Sequence, residues 1–485
     1  MRPKYSPLTR QRRGHFQKHS YNDARLESKG AQLLGRMTKT QSNVVHQISE
    51  SPAEEKSFYR FLHNDRVSPS EMIDHIYQPS IREIRDRSLL VIGDPSEISL
   101  KGQIGQIRDG HRVGVLSDNK TPGFYLQSHL VLDAQSGHGL GLSDLIFWTR
   151  KKAWGSKNRP RGQSQWKDRE TYCWMQGIIH SQEVLAEAKE VLYVFDSAAD
   201  MADLWATSLE QPYDLLIRCQ QYNRKLVNSD LKLFEFLDSL EVAGSYELDL
   251  SELSRRNISR SVAQKREKRK TRMEVRFSAL VMKLKTEKGW VKVPLYAVDA
   301  REKADSVPPG EDPIHWKLLT SRPVESFEKA IEMIHFYQLR WQIEELYRTS
   351  KKKGFGIEQT ELTSLDAIFK QTILSLEAAF RVMRLVMSRD KDDHQGIEEI
   401  FSQPEIRCLE ALNHKFEGKT QKLKNPWPKD QLAWAAWIIA RLSGWKGYQS
   451  RTPAGPIRMK RGLDKFNTYF DAWILFRCEE DVGDP

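Results

Sequence analysis

The chain has little cysteine. Cys173, Cys219, Cys408 and Cys478 are its full set in 485 residues, far apart and without a CxxC pair. That spacing argues against a structural zinc site or a disulfide framework and fits a reducing cytosol. Long apolar runs are also missing. No stretch approaches the roughly 18 apolar residues of a membrane span. The strongest short run, 433–440, falls well below that length. Residues 1–20 hold six Lys or Arg and no acid, and they lack the apolar segment of a secretory signal. A cytoplasmic protein without membrane attachment is expected.

The chain does have an excess of positive charge. Its 76 Lys and Arg outnumber 65 Asp and Glu, giving a formal net charge of +11 and a pI near 9.2. An excess of this size points to an anionic partner, with nucleic acid first and a membrane surface second. The length suits two to four domains.

Residues 1–20 read as a basic arm able to lie along a phosphate backbone. The segment 23–77 reads as a small helical bundle. Its helix starts are marked by Ser51-Pro52-Ala53-Glu54 and Ser68-Pro69-Ser70-Glu71, each a capping box with Pro at the first helical position. From Ser88 the pattern changes. Short apolar runs at 88–93 and 191–195 read as buried strands that end at Asp94 and Asp196. Strands are also expected at 112–116, 124–132, 138–146 and 213–218, with helices at 166–188 and 198–209. This order predicts an α/β fold: a mixed sheet with helices on its faces. Residues 221–323 read as a β-rich insertion. Its basic run 255–272 carries nine Lys or Arg against one acid and reads as a loop or hairpin tip. A strand is expected at 315–320 and a long helix from Ser326. After Gly354 the chain reads as mostly helical, with a strong amphipathic segment at 365–387 and Trp434 and Trp437 in a later helix.

The most telling pattern lies in 337–351. Tyr337, Arg340, Glu344 and Lys351 stand at i, i+3, i+7 and i+14. On one continuous helix they fall within an arc of about 60°. A column of ring, guanidinium, carboxylate and ammonium suits a metal ion bound to phosphate. The plain alternative is a solvated face with an ordinary i,i+4 ion pair. Asp94 and Asp196 favour the first reading. If their strands are neighbours, both carboxylates leave the same sheet edge, and a helix across that edge brings in Glu344. Three oxygen ligands without His or Cys favour Mg²⁺, with Mn²⁺ as a substitute. Two such ions serve in-line phosphoryl transfer. Each aspartate has a plainer role as a turn former or helix cap. Asp200 is expected to face solvent or pair with a cation, and Asp133 and Asp144 to be structural.

This set resembles the DDE triad and the Tyr-Arg-Glu-Lys signature of bacterial cut-and-paste transposases of the insertion-sequence-four family, to which the Tn-five transposase belongs. The resemblance extends to Ser-Phe-Tyr-Arg-Phe-Leu-His-Asn at 57–64, Lys-Arg-Glu-Lys-Arg-Lys at 265–270, and the stretch from Trp316 to Glu325. It implies an RNase H-like catalytic domain in two parts, 81–220 and 324–364, interrupted by the β-rich insertion 221–323. It also implies an N-terminal DNA-binding region (1–80) and a helical C-terminal dimerisation region (365–485). By the resemblance Asp94, Asp196 and Glu344 hold two metal ions. Tyr337, Arg340 and Lys351 grip phosphates, and Trp316 stacks on a flipped base. Further DNA contacts are expected from Arg348, Arg60, Lys265, Arg266, Lys268, Arg269 and Lys270.

The implied partners are inverted-repeat transposon ends, target DNA and a second copy of the chain, in a bacterial, nucleoid-associated setting. The sequence departs from the family in having Ser-Ala-Ala between Asp196 and Asp200, where Arg-Glu-Ala is common, and Pro95 after Asp94. Two alternatives share these features: an RNase H-like structure-specific nuclease without strand transfer, and a non-catalytic DNA-binding protein derived from a transposase.

Overall fold

The computed structural model describes residues 23–74, 84–150, 170–227, 229–250, 253–256, 263–266, 268–351, 354–390, 395–447 and 453–480. The expected basic arm 1–20 lies outside the described residues.

Helices α1 (Ala24–Thr40), α2 (Val45–Ile48) and α3 (Pro52–Leu62) precede the sheet. Both predicted helix starts are present. The Ser51 hydroxyl accepts the Glu54 N–H at 3.2 Å. Ser68 and Glu71 close a reciprocal box, with the Glu71 carboxylate accepting the Ser68 N–H at 2.9 Å.

The apolar runs form strands β1 (Ser88–Ser99), β2 (Gly114–Val115), β3 (Pro122–Asp133), β4 (Gly139–Trp148), β5 (Glu190–Phe195) and β6 (Asp214–Arg218). β3 is antiparallel to β1 and β4, while β1, β5 and β6 run parallel. Helices α4 (Cys173–Val184) and α5 (Ala202–Thr207) cover one face. Leu89, Val91, Tyr193 and Phe195 point into that layer with Trp174 and Trp205. Leu90, Ile92, Leu192 and Val194 point to the opposite layer. A strand covered on both faces must be apolar at consecutive positions, and this explains the unbroken runs at 88–93 and 191–195.

The insertion supplies β7 (Lys225–Leu226), α6 (Leu233–Ser239), β8 (Gly244–Leu250), β9 (Leu253–Arg256), β10 (Ala263–Arg266), β11 (Arg269–Thr286), β12 (Gly289–Glu302) and β13 (His315–Thr320). Its long strands extend the same sheet. β13 pairs with β6, and the order continues through β12 and β11 to β7. Helices α7 (Phe327–Leu339), α8 (Trp341–Ser350) and α9 (Leu365–Ser388) then cross the second face, followed by α10 (Gln403–Phe416), α11 (Leu432–Leu442) and α12 (Pro456–Glu480). One apolar cluster joins α1 and α3, the even-numbered face of β1 and β5, and α7 to α12. Among the described residues no helix is long and apolar enough to cross a membrane.

Two expectations need correction, and one alternative is resolved. β1 does not end at Asp94. It loses its parallel partner after Gly93 but stays paired with β3 as far as Ser99. Of the two readings of the basic run, the hairpin is the one found: β9 and β10 pair antiparallel, and Arg269 and Lys270 already belong to β11. The helix from Ser326 is not continuous through Lys351. It is interrupted at Arg340, and α8 stops at Ser350 with Lys351 extended (φ −81°, ψ −164°). Trp434 and Trp437 are 2% and 4% exposed, so they are core residues.

Candidate active site

Parallel pairing of β1 with β5 sets Gly93 opposite Phe195, so Asp94 and Asp196 are the next positions along adjacent strands. Both carboxylates therefore lie on the same face and at the same edge. α8 packs over this edge through Ile343, Leu346 and Tyr347, all buried. That packing turns Glu344 toward the aspartates. Arg340, at the break between the helices, shows how close they come. Its Nη1 is 3.2 Å from Asp94 Oδ2, and its Nη2 is 2.6 Å from Glu344 Oε1. One guanidinium thus bridges two of the predicted carboxylates. Asp196 accepts the Ser197 N–H at 2.6 Å and caps the following turn. The capping role foreseen for it is therefore real.

The electrostatics agree with a clustered site. Burial pushes the Asp94 carboxyl up to about 7. Arg340 opposes this shift, and repulsion from Asp196 and Glu344 adds to it. Burial acts against the Arg340 charge, but Tyr337, Asp94 and Glu344 hold its pKa above the ordinary value. Tyr337 is raised mainly by burial, and it feels Arg340, Asp196 and Arg218. Its ring lies 5.8 Å from the Arg340 guanidinium and meets Trp316 edge-on at 6.5 Å. Tyr337, Arg340, Trp316 and the three carboxylates therefore form one neighbourhood.

Lys351 is placed differently. Burial lowers its pKa, and the charges acting on it are those of Glu358 and Glu97. Arg348 is exposed and pairs with Glu345 at 3.3 Å. Arg60 is exposed on α3. Lys268 and Lys270 are exposed, the latter 3.7 Å from Glu247. Arg269 is held inside the insertion by Glu302 and by Glu311, the latter at 3.2 Å. The side chains of Lys265 and Arg266 lie outside the described residues. Asp200 pairs with a cation, as expected. Arg224 binds it at 2.5 Å, and it also accepts the Trp205 indole N–H at 2.9 Å.

Two residues of the site were missed from sequence. The Tyr347 hydroxyl donates to the Asp94 carbonyl at 2.6 Å and accepts the Ser128 N–H at 2.9 Å. Asp94 and Ser128 are register partners, so the hydroxyl bridges a rung of the ladder and ties α8 to β1 and β3. Arg218 is exposed at the end of β6. It stands one position beyond the Phe195–Ile217 pair and therefore level with Asp196.

Among the described residues no three carboxylate, His or Cys side chains stand close enough together to hold a metal ion, and Arg340 fills the gap between Asp94 and Glu344. The donor set nonetheless fits a hard divalent cation. It consists of oxygen ligands only, and the mutual repulsion of Asp94, Asp196 and Glu344, which adds to the effect of burial on Asp94, is of the kind that a bound cation relieves. Residues 177–380 match the family model of the transposase DDE domain. The matched stretch contains Asp196 and Glu344, and Asp94 precedes it. The match supports a DNA transposase of the DDE type.

Proposed function

We propose that the chain is a cut-and-paste transposase of the insertion-sequence-four kind, with Asp94, Asp196 and Glu344 as its catalytic carboxylates. The observation that carries this reading is the bridge from Arg340 to both Asp94 and Glu344, beside Asp196, within a chain whose residues 177–380 match a transposase DDE domain.

The three carboxylates would hold two Mg²⁺ ions, which supply activation of the attacking oxygen and stabilisation of the leaving one. Arg340 then turns from the carboxylates to the scissile phosphate, for which a guanidinium is a bidentate partner. Tyr337 and Arg218 flank the same phosphate, and Lys351 holds a neighbouring one. Trp316 stands ready to stack on an extruded base, which partly restores the stacking lost on flipping.

In the first step a water oxygen attacks phosphorus, the P–O3′ bond breaks, and a 3′-hydroxyl is released. That hydroxyl attacks the opposite strand and closes a DNA hairpin. Water reopens the hairpin, and the 3′ end joins target DNA by the same displacement. Residues 1–80 would bind the inverted repeats, with Arg60 facing DNA. The basic hairpin of the insertion, with Lys265 and Arg266, and the adjoining Lys268 and Lys270 would line the backbone. Arg348 would contact phosphate from α8. Two chains would pair through the C-terminal region, where Leu475 and Phe476 of α12 are 68% and 71% exposed.

The test uses pre-cut ends of the element with a target plasmid. Strand joining that needs divalent metal and is lost in Glu344→Gln supports the reading. Cleavage without joined product would make the chain a structure-specific nuclease. Metal-independent binding with no cleavage would make it a DNA-binding protein only.

A further inference from the structure

The tip of the β11–β12 hairpin carries a basic surface that the active site does not use. Cross-strand register sets Lys283 opposite Lys292 and Lys285 opposite Trp290, so these four side chains share one face. All four are exposed, and Trp290 is 60% exposed, among the most open aromatic rings of the protein. The Lys283 ammonium sits 5.4 Å from the centre of the Trp290 ring, which holds it upright on the sheet. No described carboxylate forms an ion pair with Lys283, Lys285 or Lys292. The opposite face of the tip is fixed: Met282, Leu284, Val293 and Leu295 are buried. At the turn, the Glu287 N–H is tied to Asp203 at 2.9 Å.

The position of this face relative to the carboxylates follows from register. Tyr296 is level with Thr320, Thr320 with Leu216, and Leu216 with Val194. The Lys and Trp side chains are therefore on the same side of the continuous sheet as Asp94 and Asp196. They lie toward the opposite edge, roughly 30 Å away by strand rise and strand spacing. That distance corresponds to roughly nine base pairs of duplex.

We infer that this face docks the sugar–phosphate backbone of duplex DNA about one helical turn from the reacting phosphate. A polyanion is the occupant whose charge complements three ammonium groups, none ion-paired with a described carboxylate, arranged on a rigid support. Trp290 would pack against the sugar edge between the phosphates that the lysines hold. The inference rests on the transposase reading, and its test separates the two.

The test measures anisotropy of a labelled duplex of mixed sequence with the full chain across a salt series. For K283Q/K285Q/K292Q we expect the slope of log affinity against log salt to shrink by roughly two to three, about one per lost phosphate contact. Affinity near 0.15 M salt should fall on the order of 10- to 100-fold. K283R/K285R/K292R should keep the wild-type slope, and Trp290→Ala should weaken binding without changing it. Wild-type slope and affinity in the Lys→Gln variant would overturn the inference and leave the transposase reading intact. Failure of the wild-type chain to bind duplex at all would overturn both. Unchanged DNA binding together with a lower sedimentation coefficient would overturn it in favour of a contact between copies.

Discussion

The two faces of the central sheet, compared at the level of Asp94, are built on opposite principles. On one face Asp94 and Asp196 stand side by side, with Glu344 brought over them and a single guanidinium between Asp94 and Glu344. On the other, one residue back along each strand, His129, Gly93 and Phe195 lie in a row. A side chain at Gly93 would place its Cβ 2.6 Å from the Phe195 ring and 3.1 Å from the His129 ring. His129 is fully buried, with its imidazole pushed down to about 4 by that burial. One face concentrates like charge and leaves it in need of cations. The other buries an imidazole and closes the space by packing, and there Asp144, level with His129 on β4, is matched by His180 at 3.0 Å. The aspartates can repel each other without moving apart because the neutral row behind them is locked.

The strongest way to break this contrast is at the charged face. Asp196→Asn or Glu344→Gln should lower metal-dependent DNA cleavage by at least about 1000-fold, the upper scale for losing one charge-stabilising group at a reacting centre. Circular dichroism should show the fold intact, and a chelator should mimic the loss in the wild type. Retained cleavage would remove these residues from the active site.

On the packed face the effect is on stability and follows pH. The unfolded chain takes up a proton at His129 near the ordinary value of 6.5, whereas the folded chain resists until about 4. The contribution of His129 to stability is therefore complete above pH 6.5 and is lost as pH falls from there to 4. The loss amounts to up to about 3 kcal/mol. Denaturant melts of His129→Asn should show a flatter acid limb over that window. An identical limb would mean that another group sets it.

Gly93→Ala joins the two faces. Overpacking against Phe195 and His129 should cost about 1–3 kcal/mol and disturb both aspartates. Urea melts and cleavage rates should fall together. Tyr347→Phe is the mildest change. It removes the hydroxyl bridging Asp94 and Ser128, with an expected cost of about 1–2 kcal/mol. Because it acts through the placement of Asp94 and α8, kcat should fall more than KM rises. Unchanged kcat would make the bridge purely structural.

These faces were unequally visible in the sequence. The apolar runs revealed β1 and β5 with an aspartate after each, and the parallel pairing of the two strands sets those carboxylates side by side. Glu344 was visible through its spacing from Tyr337 and Arg340. Arg218 was not, because register with β5 places it and no local pattern does. Tyr347 lies on the packed side of α8, and no local pattern marks its hydroxyl as the partner of the Asp94 carbonyl. The interruption at Arg340 has no Pro or Gly to announce it, and Arg340 itself keeps helical dihedrals. The stop before Lys351 did have a signal. A side chain at Gly354 would meet the Thr349 carbonyl at 1.4 Å, and Gly356 takes a φ of +78°. The chain folds tightly back on the helix end there, and a helical column running from Tyr337 through Lys351 was never available.

Lys370, buried in α9, donates to the backbone carbonyls of Leu62 at 3.0 Å and Asn64 at 2.8 Å. Next to it Gln371 donates to the Asn43 carbonyl at 2.8 Å. The segments after α1 and α3 are thereby keyed into the helix that continues from the active site. A DNA end grasped by the N-terminal helices would be held as if in a caliper, with the span to the cutting carboxylates fixed by the protein. The position of the cut would then be measured from the bound repeat and would not depend on the bases at the cut itself.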